Sequence, residues 1–343
     1  MAKICIMGAG SIGCYIGGRL RAAGANVTLV GRAHIGDALR AHGLTLTDYR
    51  NGRWHVPPAN VQYVTGADAA AVADLVLVTA KSAATQAIAE DLAPILRAGT
   101  TVISFQNGLG NADVLRAALP HQTVLAGMVP FNVMQPRPGA FHQGTGGELE
   151  VAASPALQPF LDPFSRAGLP LMQRTDMPAV QWAKLLLNLN NAINALANRP
   201  LKEELSQRAY RRCLALAQRE ALRLLARAGI RPAKLTPVPP TWIPHLLTTP
   251  DAVFARLGGK MLAIDPHARS SMSDDLAAGR TTEVDWINGE VVQLAERLGL
   301  RAPINAQLCA LVHVAEAAST RPSWSGDDLL AILHAAAQTL RSR

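Results

Sequence analysis

Three glycines near the start of the chain, Gly8, Gly10 and Gly13, stand at a G-x-G-x-x-G spacing directly after an apolar run, Ile4 to Met7. The chemistry served by that spacing is the holding of a phosphate. Gly8 permits a tight turn, Gly10 lets a pyrophosphate approach the backbone, and Gly13 lets the following helix sit close on the strand. Free N–H groups and the dipole at the helix start favour an anion. The whole stretch, Gly8-Ala9-Gly10-Ser11-Ile12-Gly13, leads into a helical pattern through Ile16 and Leu20 and then a second apolar run, Val27 to Val30. Strand, turn, helix and strand thus fit into about thirty residues, the frame of a dinucleotide site. An NAD site usually has an acid at the end of the second strand to bond the ribose. Gly31-Arg32 stand there instead, and the next acid is Asp37. A planar guanidinium suits a 2′-phosphate, so NADP(H) is favoured over NAD; the alternative is a solvated surface arginine.

A second set of chemically able residues lies far away in sequence. Lys184 sits in Trp182-Ala-Lys-Leu-Leu-Leu-Asn188-Leu-Asn190-Asn191-Ala-Ile-Asn194, an apolar helical stretch with one lysine and four asparagines. Lys184 and Asn188 are four apart and share a helix face. Buried polar groups need partners, so a polar row on an apolar helix suggests a polar cleft; the alternative is a lysine that snorkels to solvent beside mutually bonded asparagines. Glu283 lies in a segment from Ser270-Ser271-Met272 to Asn288-Gly289 that gathers hydroxyls, acids and Arg280 around few apolar residues. Gly289 costs helix stability unless something packs closely on it. An exposed loop leading into a capped helix is the other reading of this segment.

These residues need elements to hold them. His34 to His42 reads as a short helix stopped at Gly43, and 44–66, with Asn51-Gly52 and Pro57-Pro58, as a β excursion. Strands follow at Asp74 to Thr79, Thr101 to Phe105 and Thr123 to Met128, separated by helices at Ala84 to Arg97 and up to Leu119. Alternation of this kind gives a parallel sheet with helices on both faces. Ligands in such sheets sit beyond the carboxyl ends of the strands, where Lys81 and Asn107 fall; a capping lysine and a turn asparagine are the plainer readings. Residues 135–152 read as one or two antiparallel strands extending the sheet, Leu157 to Ala167 as a helix and Pro170 to Gln173 as a last strand. From Asp176 the pattern is almost wholly helical: Met177 to Asn198, Glu203 to Ala228, Ala252 to Met261, Arg280 to Leu298, Ala306 to Ala318 and Asp327 to Leu340. Ser325 is the N-cap for the last of these. The stretch 231–250 carries six prolines and reads as a long connection. The expected fold is α/β: a Rossmann-type, NADP(H)-binding domain over 1–175, then an all-α substrate and catalytic domain over 176–343.

Composition narrows the classes. The 343 residues are 49% hydrophobic and carry a net charge of +8, which attracts anionic ligands. The arginines are scattered and not interleaved with aromatics, which argues against nucleic acid. Four cysteines form neither a C-x-x-C pair nor a zinc-spaced cluster, so no metal is expected. With no leader reading and no run of about 18 apolar residues, the expectation is a cytoplasmic protein with no membrane span. Apolar faces after residue 300 serve either the core or a homodimer.

Together the quoted pieces resemble the ketopantoate reductase (2-dehydropantoate 2-reductase) family: G-A-G-S-I-G at 8–13, the strand-end Lys81, Q-N-G-L-G at 106–110, W-A-K-L-L-L-N at 182–188, and S-S-M at 270–272 followed by T-T-E-V-D-W-I-N-G at 281–289. They occur in family order over nearly the whole chain. The resemblance implies substrate between a Rossmann domain and a helical domain, and NADPH-dependent reduction of 2-dehydropantoate to pantoate, a step toward pantothenate and coenzyme A. It implies that Lys184 is the general acid and that Glu283 binds substrate or nicotinamide-side groups. Asn107 would contact cofactor and substrate, and Asn188 and Ser271 the substrate's hydroxyl and carboxylate ends. A lysine ammonium, with an ordinary pKa of about 10.4, would stabilise the alkoxide left by hydride transfer and supply its proton, and a nearby Glu283 would keep it charged. The family's second helix asparagine falls at Ala192, flanked by Asn191 and Asn194, either of which could replace it. The proline-rich stretch is also longer than expected. Other branched 2-oxoacids, or an NADP(H)-binding sensor without turnover, are the competing readings.

Overall fold

A computed structural model describes residues 1–257 and 268–338. The chain divides into two compact units, Met1–Met177 and Pro178–Arg343.

The first unit contains β1 (Lys3–Met7), α1 (Ser11–Ala22), β2 (Asn26–Val30), α2 (Ala33–His42), β3 (Leu44–Asp48), β4 (Arg53–Val56), β5 (Gln62–Val64), β6 (Leu75–Val78), α3 (Thr85–Leu92), β7 (Thr101–Ser104), α4 (Asn111–Ala118), β8 (Thr123–Met128), β9 (Val133–Arg137), β10 (Ala140–Gln143), β11 (Leu149–Ala152), α5 (Gln158–Arg166) and β12 (Leu171–Arg174). Its main sheet runs β12-β11-β8-β7-β6-β1-β2-β5. The strands from β8 to β5 are parallel, and β11 enters antiparallel to β8. Buried Ile4, Ile6, Leu75, Leu77 and Ile103 place the core on the central strands, the continuous apolar runs that a sheet covered on both faces requires.

Two expectations about the β segments change. The excursion after Gly43 is indeed an antiparallel hairpin of β3 and β4, turning at Asn51 with φ 67°. But β5, which lay inside the expected excursion, joins the main sheet as its outer parallel strand, with Thr28 opposite Gln62. Conversely, β9 and β10 do not extend the main sheet. They join the hairpin in a separate sheet of order β4-β3-β10-β9, and only β11 extends the main one. The cause is long-range packing on α1. A Cβ on Gly18 would lie 2.8 Å from Leu46 Cδ1, Trp54 stacks 3.4 Å from the buried Arg19 guanidinium, and Tyr15 donates to Gln143 at 2.8 Å. No local pattern in 133–143 announces that partner.

The second unit is helical: α6 (Met177–Asn188), α7 (Asn190–Ala197), α8 (Leu201–Ser206), α9 (Arg208–Arg227), α10 (Ile243–Leu247), α11 (Asp251–Leu257), α12 (Ser271–Ala277), α13 (Val284–Arg297), α14 (Pro303–Ala317) and α15 (Gly326–Gln338). The expected helix ends at Met261 and Leu340 lie outside the described residues. Ser325 does cap α15, accepting from Asp328 N–H at 3.2 Å. Ile304, Leu308, Val312, Leu329 and Leu333 are buried, so these faces serve the core.

Three expected helices end early or break, and the one expected from Arg280 starts only at Val284. The helix expected over Ala84 to Arg97 ends at Leu92, just ahead of Pro94, which has no N–H to continue the helical bonding. The expected Met177 to Asn198 helix is interrupted at Leu189. The expected Glu203 to Ala228 helix breaks at Gln207, which is extended at φ −97°, ψ 122°. Arg211, 0% exposed, explains the last break. Its guanidinium donates to the freed carbonyls of Leu205 and Ser206 at 3.0 and 2.9 Å. It also reaches Leu247 O, Thr249 O and Asp251 Oδ1, tying down the end of the proline-rich connection.

Candidate active site

In the first unit, the loops after β7, β6, β1 and β2 follow one another along a single edge of the sheet, because those four strands are parallel neighbours. They carry Asn107, Lys81, the glycine turn and Arg32 in that order. The chain order reverses beside β1, so this edge is the switch point where such sheets take ligands.

The glycine turn has a physical reason at each position. Gly8 has φ +97°, and a Cβ there would lie 2.4 Å from Ala80 N. A Cβ on Gly13 would lie 2.5 Å from Thr79 Oγ1 and 2.6 Å from Gly8 O. A Cβ on Gly10, by contrast, would meet no protein atom within 4 Å, so the turn is bare on that side. The N–H groups of Gly8 and Ala9 both go to Val30 O, at 3.0 and 2.8 Å, and Thr79 Oγ1 donates to Gly8 O at 2.8 Å. Helical bonding of α1 begins with Cys14 N–H to Gly10 O at 2.8 Å. The N–H groups of Ser11, Ile12 and Gly13 precede it, where a helix has no internal acceptors for them, and no acid lies in that first turn. Such a turn suits a pyrophosphate.

Arg32 is exposed at the N-cap of α2. Its carbonyl accepts from Tyr63 Oη at 2.8 Å, and no acid stands between Val30 and Asp37. Lys81 is exposed and Asn107 half-buried. Their loops are locked by a buried polar network that the sequence reading did not single out. Asn111 Nδ2 donates to Asn107 O at 2.5 Å and to Ser82 Oγ at 3.1 Å, while Ser82 Oγ donates to Asn107 O at 2.8 Å. Thr85 Oγ1 donates to Asn111 Oδ1 at 2.7 Å. Gln106 Nε2 donates to Thr85 Oγ1 at 2.8 Å, and Ser104 Oγ to Gln106 Oε1 at 3.0 Å. Q-N-G-L-G was the available signal: its glutamine is the loop's anchor.

In the second unit, Lys184 and Asn188 are half-buried on α6, among buried Trp182, Ala183, Leu185 and Leu186. The residue keeps some exposed surface, yet desolvation pulls the Lys184 ammonium from 10.5 down to about 8. The sequence reading expected an ordinary, fully charged lysine. Burial makes it a better acid than that.

The asparagines after Leu189 part company. Asn191 is half-buried and Ala192 is in the core. Asn194 is 0% exposed. Its Nδ2 donates to Arg199 O at 3.0 Å and Glu204 Oε2 at 3.1 Å, and its Oδ1 accepts from Ser270 N–H at 2.9 Å. With both amide protons engaged by protein, Asn194 is corrected from a substrate contact to a structural bond. The paired serines divide similarly. Ser270 is buried and caps α12, accepting from Ser273 N–H at 3.1 Å and donating to Asn191 O at 3.2 Å. Ser271 is exposed on the first turn of that helix.

Glu283 is buried at 8% exposure and occupies the N-cap of α13. Its neighbour Thr282 is stapled by N–H donation to Glu316 Oε1 at 2.7 Å and accepts from Val284 N–H at 3.2 Å. Asn288, from the same motif, is 0% exposed and donates to Asn305 Oδ1 at 3.1 Å. Asn305 in turn donates to Glu220 Oε1 through both its backbone and side chain, each at 2.9 Å. Asn288 thus joins α13 to α14 and α9. Nothing packs closely on Gly289: a Cβ there meets only ordinary contacts of 3.6 Å or more, within α13 itself, so the glycine keeps its cost to the helix. Among the described residues no helix is long and apolar enough to cross a membrane, and no group of three His, Cys, Asp or Glu could hold a metal.

Comparison with known proteins bears on both units. The family model described as "Ketopantoate reductase PanE/ApbA" matches residues 4–156, and the one for its C-terminal part matches residues 176–316. A 2-dehydropantoate 2-reductase of Halobacterium salinarum is 29% identical over 92% of this chain and 99% of its own. The crystal structure of a PanE/ApbA family ketopantoate reductase from Ralstonia eutropha JMP134 superposes with a TM-score of 0.77 at 31% identity, covering 92% of this chain and 98% of that one. A D-mandelate dehydrogenase solved with NADH and anilino(oxo)acetate has a TM-score of 0.75 at 20% identity, covering 92% and 98%, and shares the fold. Two family models that together match most of each unit, with a solved relative covering 92% of the chain, leave one conclusion: the chain belongs to the ketopantoate reductase family.

Proposed function

We propose that this oxidoreductase reduces 2-dehydropantoate to pantoate, a step toward pantothenate, with NADPH as reductant and Lys184 as general acid. The observation that carries the reading is the desolvated ammonium of Lys184, brought down to about 8, within the W-A-K-L-L-L-N segment that the family match covers. The bound dihydronicotinamide would supply hydride to the C2 ketone carbon. Negative charge then develops on the ketone oxygen. Lys184 stabilises that charge and donates its proton there. An ammonium near 8 remains mostly protonated at neutrality, yet gives up its proton more readily than an ordinary lysine.

The other residues bind and orient. The bare side of the turn at Gly10 and the N–H groups of Ser11, Ile12 and Gly13 at the start of α1 hold the pyrophosphate, on a turn that Gly8 and Ala9 shape through their bonds to Val30 O. Arg32 meets the 2′-phosphate that distinguishes NADPH, supported by the lack of an acid after β2. Lys81 and Asn107 hold the cofactor from the neighbouring loops, Asn107 also touching substrate. Asn188, Asn191 and Ser271 hold the substrate's hydroxyl and carboxylate, and Glu283 its polar end.

The burial of Asn194 favours one second reading, a different branched 2-oxoacid as substrate. Loss of NADPH absorbance with a panel of 2-oxoacids tests both. The highest kcat/KM is expected for 2-dehydropantoate; a better rival moves the assignment to that rival, and no turnover with any of them overturns the reductase reading.

A further inference from the structure

Glu204, on α8, is a carboxyl that the proposed chemistry leaves unused. It is 0% exposed. Its two oxygens are treated unequally. Oε2 accepts from Asn190 Nδ2 and from Asn194 Nδ2, both at 3.1 Å, whereas Oε1 is buried with no hydrogen-bond partner. A carboxylate would leave negative charge on an oxygen that nothing satisfies, which is costly in a low dielectric. A proton on Oε1 removes that charge and keeps Oε2 as the acceptor of both amides. Desolvation accordingly raises the carboxyl to about 8, against the lowering effect of the Asn190 and Asn194 bonds. The ionisable groups around it are Tyr210 and Cys213 of α9, and the nearby Arg199 pairs with Glu203.

The bonds from Glu204 lead onward to the serine pair. Asn194, held by Glu204, accepts from Ser270 N–H. Ser270 bonds Asn191 O and caps α12, whose first turn presents Ser271. The chain ahead of Ser270 is tied to the start of α8 by Leu201 N–H to Ala268 O at 2.8 Å. We infer that Glu204, standing as a neutral carboxylic acid, is a positioning residue that sets the amides of Asn190 and Asn194 and, through Ser270, the placement of Asn191 and Ser271 against the substrate. This inference rests on the proposed 2-oxoacid reduction for its kinetic consequence, though not for its structural one.

The test compares Glu204→Gln with Glu204→Ala in the full-length enzyme. Glutamine reproduces a neutral acid at this site: its oxygen accepts both amides and its NH2 replaces the proton. Glu204→Ala is expected to raise the KM for 2-dehydropantoate about tenfold, with kcat and the NADPH Kd within about twofold, and Glu204→Gln to restore the wild-type KM. Ser270→Ala is expected to raise KM similarly, and the double variant Glu204→Ala/Ser270→Ala to cost less than the two effects multiplied. Two readouts need no turnover. Exchange of the Ser270 amide proton should quicken in Glu204→Ala and not in Glu204→Gln, and the infrared C=O band of a protonated carboxyl at pH 7 should vanish in Glu204→Gln. If Glu204→Ala does not fold, Glu204→Asp, which withdraws the carboxyl by one methylene, takes its place. An unchanged Ser270 amide, a Glu204→Gln as damaged as the alanine variant, or equal loss of cofactor and substrate binding would each overturn the inference. If wild-type enzyme reduces no 2-oxoacid, the activity reading fails, and the exchange and infrared measurements alone decide the role of Glu204.

Discussion

The glycine edge of the first unit and the polar helices of the second place reactive groups by opposite means. The first uses backbone. Its turn is fixed by glycines against Ala80 and Thr79, and its loops by neutral amides and hydroxyls around Asn111. The second uses ionisable side chains taken out of water: Lys184 lowered, Glu204 and Glu220 raised by burial. A phosphate-binding edge needs donors in fixed places, which peptide N–H groups supply at no desolvation cost to a charged side chain. A proton donor needs a shifted acidity, which burial, a neighbouring charge or a hydrogen bond supplies.

That contrast can be broken most sharply at Lys184. Lys184→Ala is expected to lower kcat by about 10²–10⁴, the usual worth of a general acid, while fluorescence titration gives nearly unchanged NADPH affinity. Lost cofactor binding would erase the division of labour. Within the wild-type enzyme, kcat should fall as pH rises through about 8, because reduction needs the protonated ammonium; a profile flat to pH 10 would remove Lys184 from the acid role.

Asn111→Ala probes the other side. It strips a buried hub of three hydrogen bonds and should cost about 1–3 kcal/mol of stability in denaturant melts. Its kinetic mark should be a raised KM for NADPH with kcat largely kept. Arg32→Ala should weaken NADPH by about tenfold, the scale of one charge-assisted hydrogen bond, and leave NADH unchanged; equal weakening of both would make Arg32 a general surface charge. The smallest effect is expected at Gly289→Ala. With only ordinary contacts around a new Cβ, the helix should gain about 0.5–1 kcal/mol, read as a higher Tm.

What could be read directly from the residues follows the same contrast. Gly8, Gly10 and Gly13 announce their roles because the constraint is local: a turn, a bare side, a close helix. The stop at Gly43 and the hairpin at Asn51-Gly52 are legible for the same reason. The break at Gln207 is not, because no glycine or proline marks it; it exists because Arg211 accepts the burden of the freed carbonyls from another turn of helix. The sheet joined by β9 and β10 is likewise settled by Leu46, Trp54 and Arg19, which are distant in sequence. At the candidate site, Lys184, Glu283 and Asn107 stood out by type and motif. Ser82, Thr85, Asn111 and Glu204 did not, since a polar residue's burial depends on partners the local pattern does not contain.

The interruption at Leu189 has a consequence for how this segment tolerates change. Upstream of it, Lys184 and Asn188 keep their phase on α6; downstream, Asn194 keeps its own on α7, anchored by Glu204 and Ser270. The two phases stay in register across that joint, because Leu189 keeps helical backbone at φ −56°, ψ −22° and donates to Leu185 O at 3.0 Å. A residue gained or lost there would turn one set by about 100° against the other, so the count of positions separating the lysine from the last asparagine is held fixed.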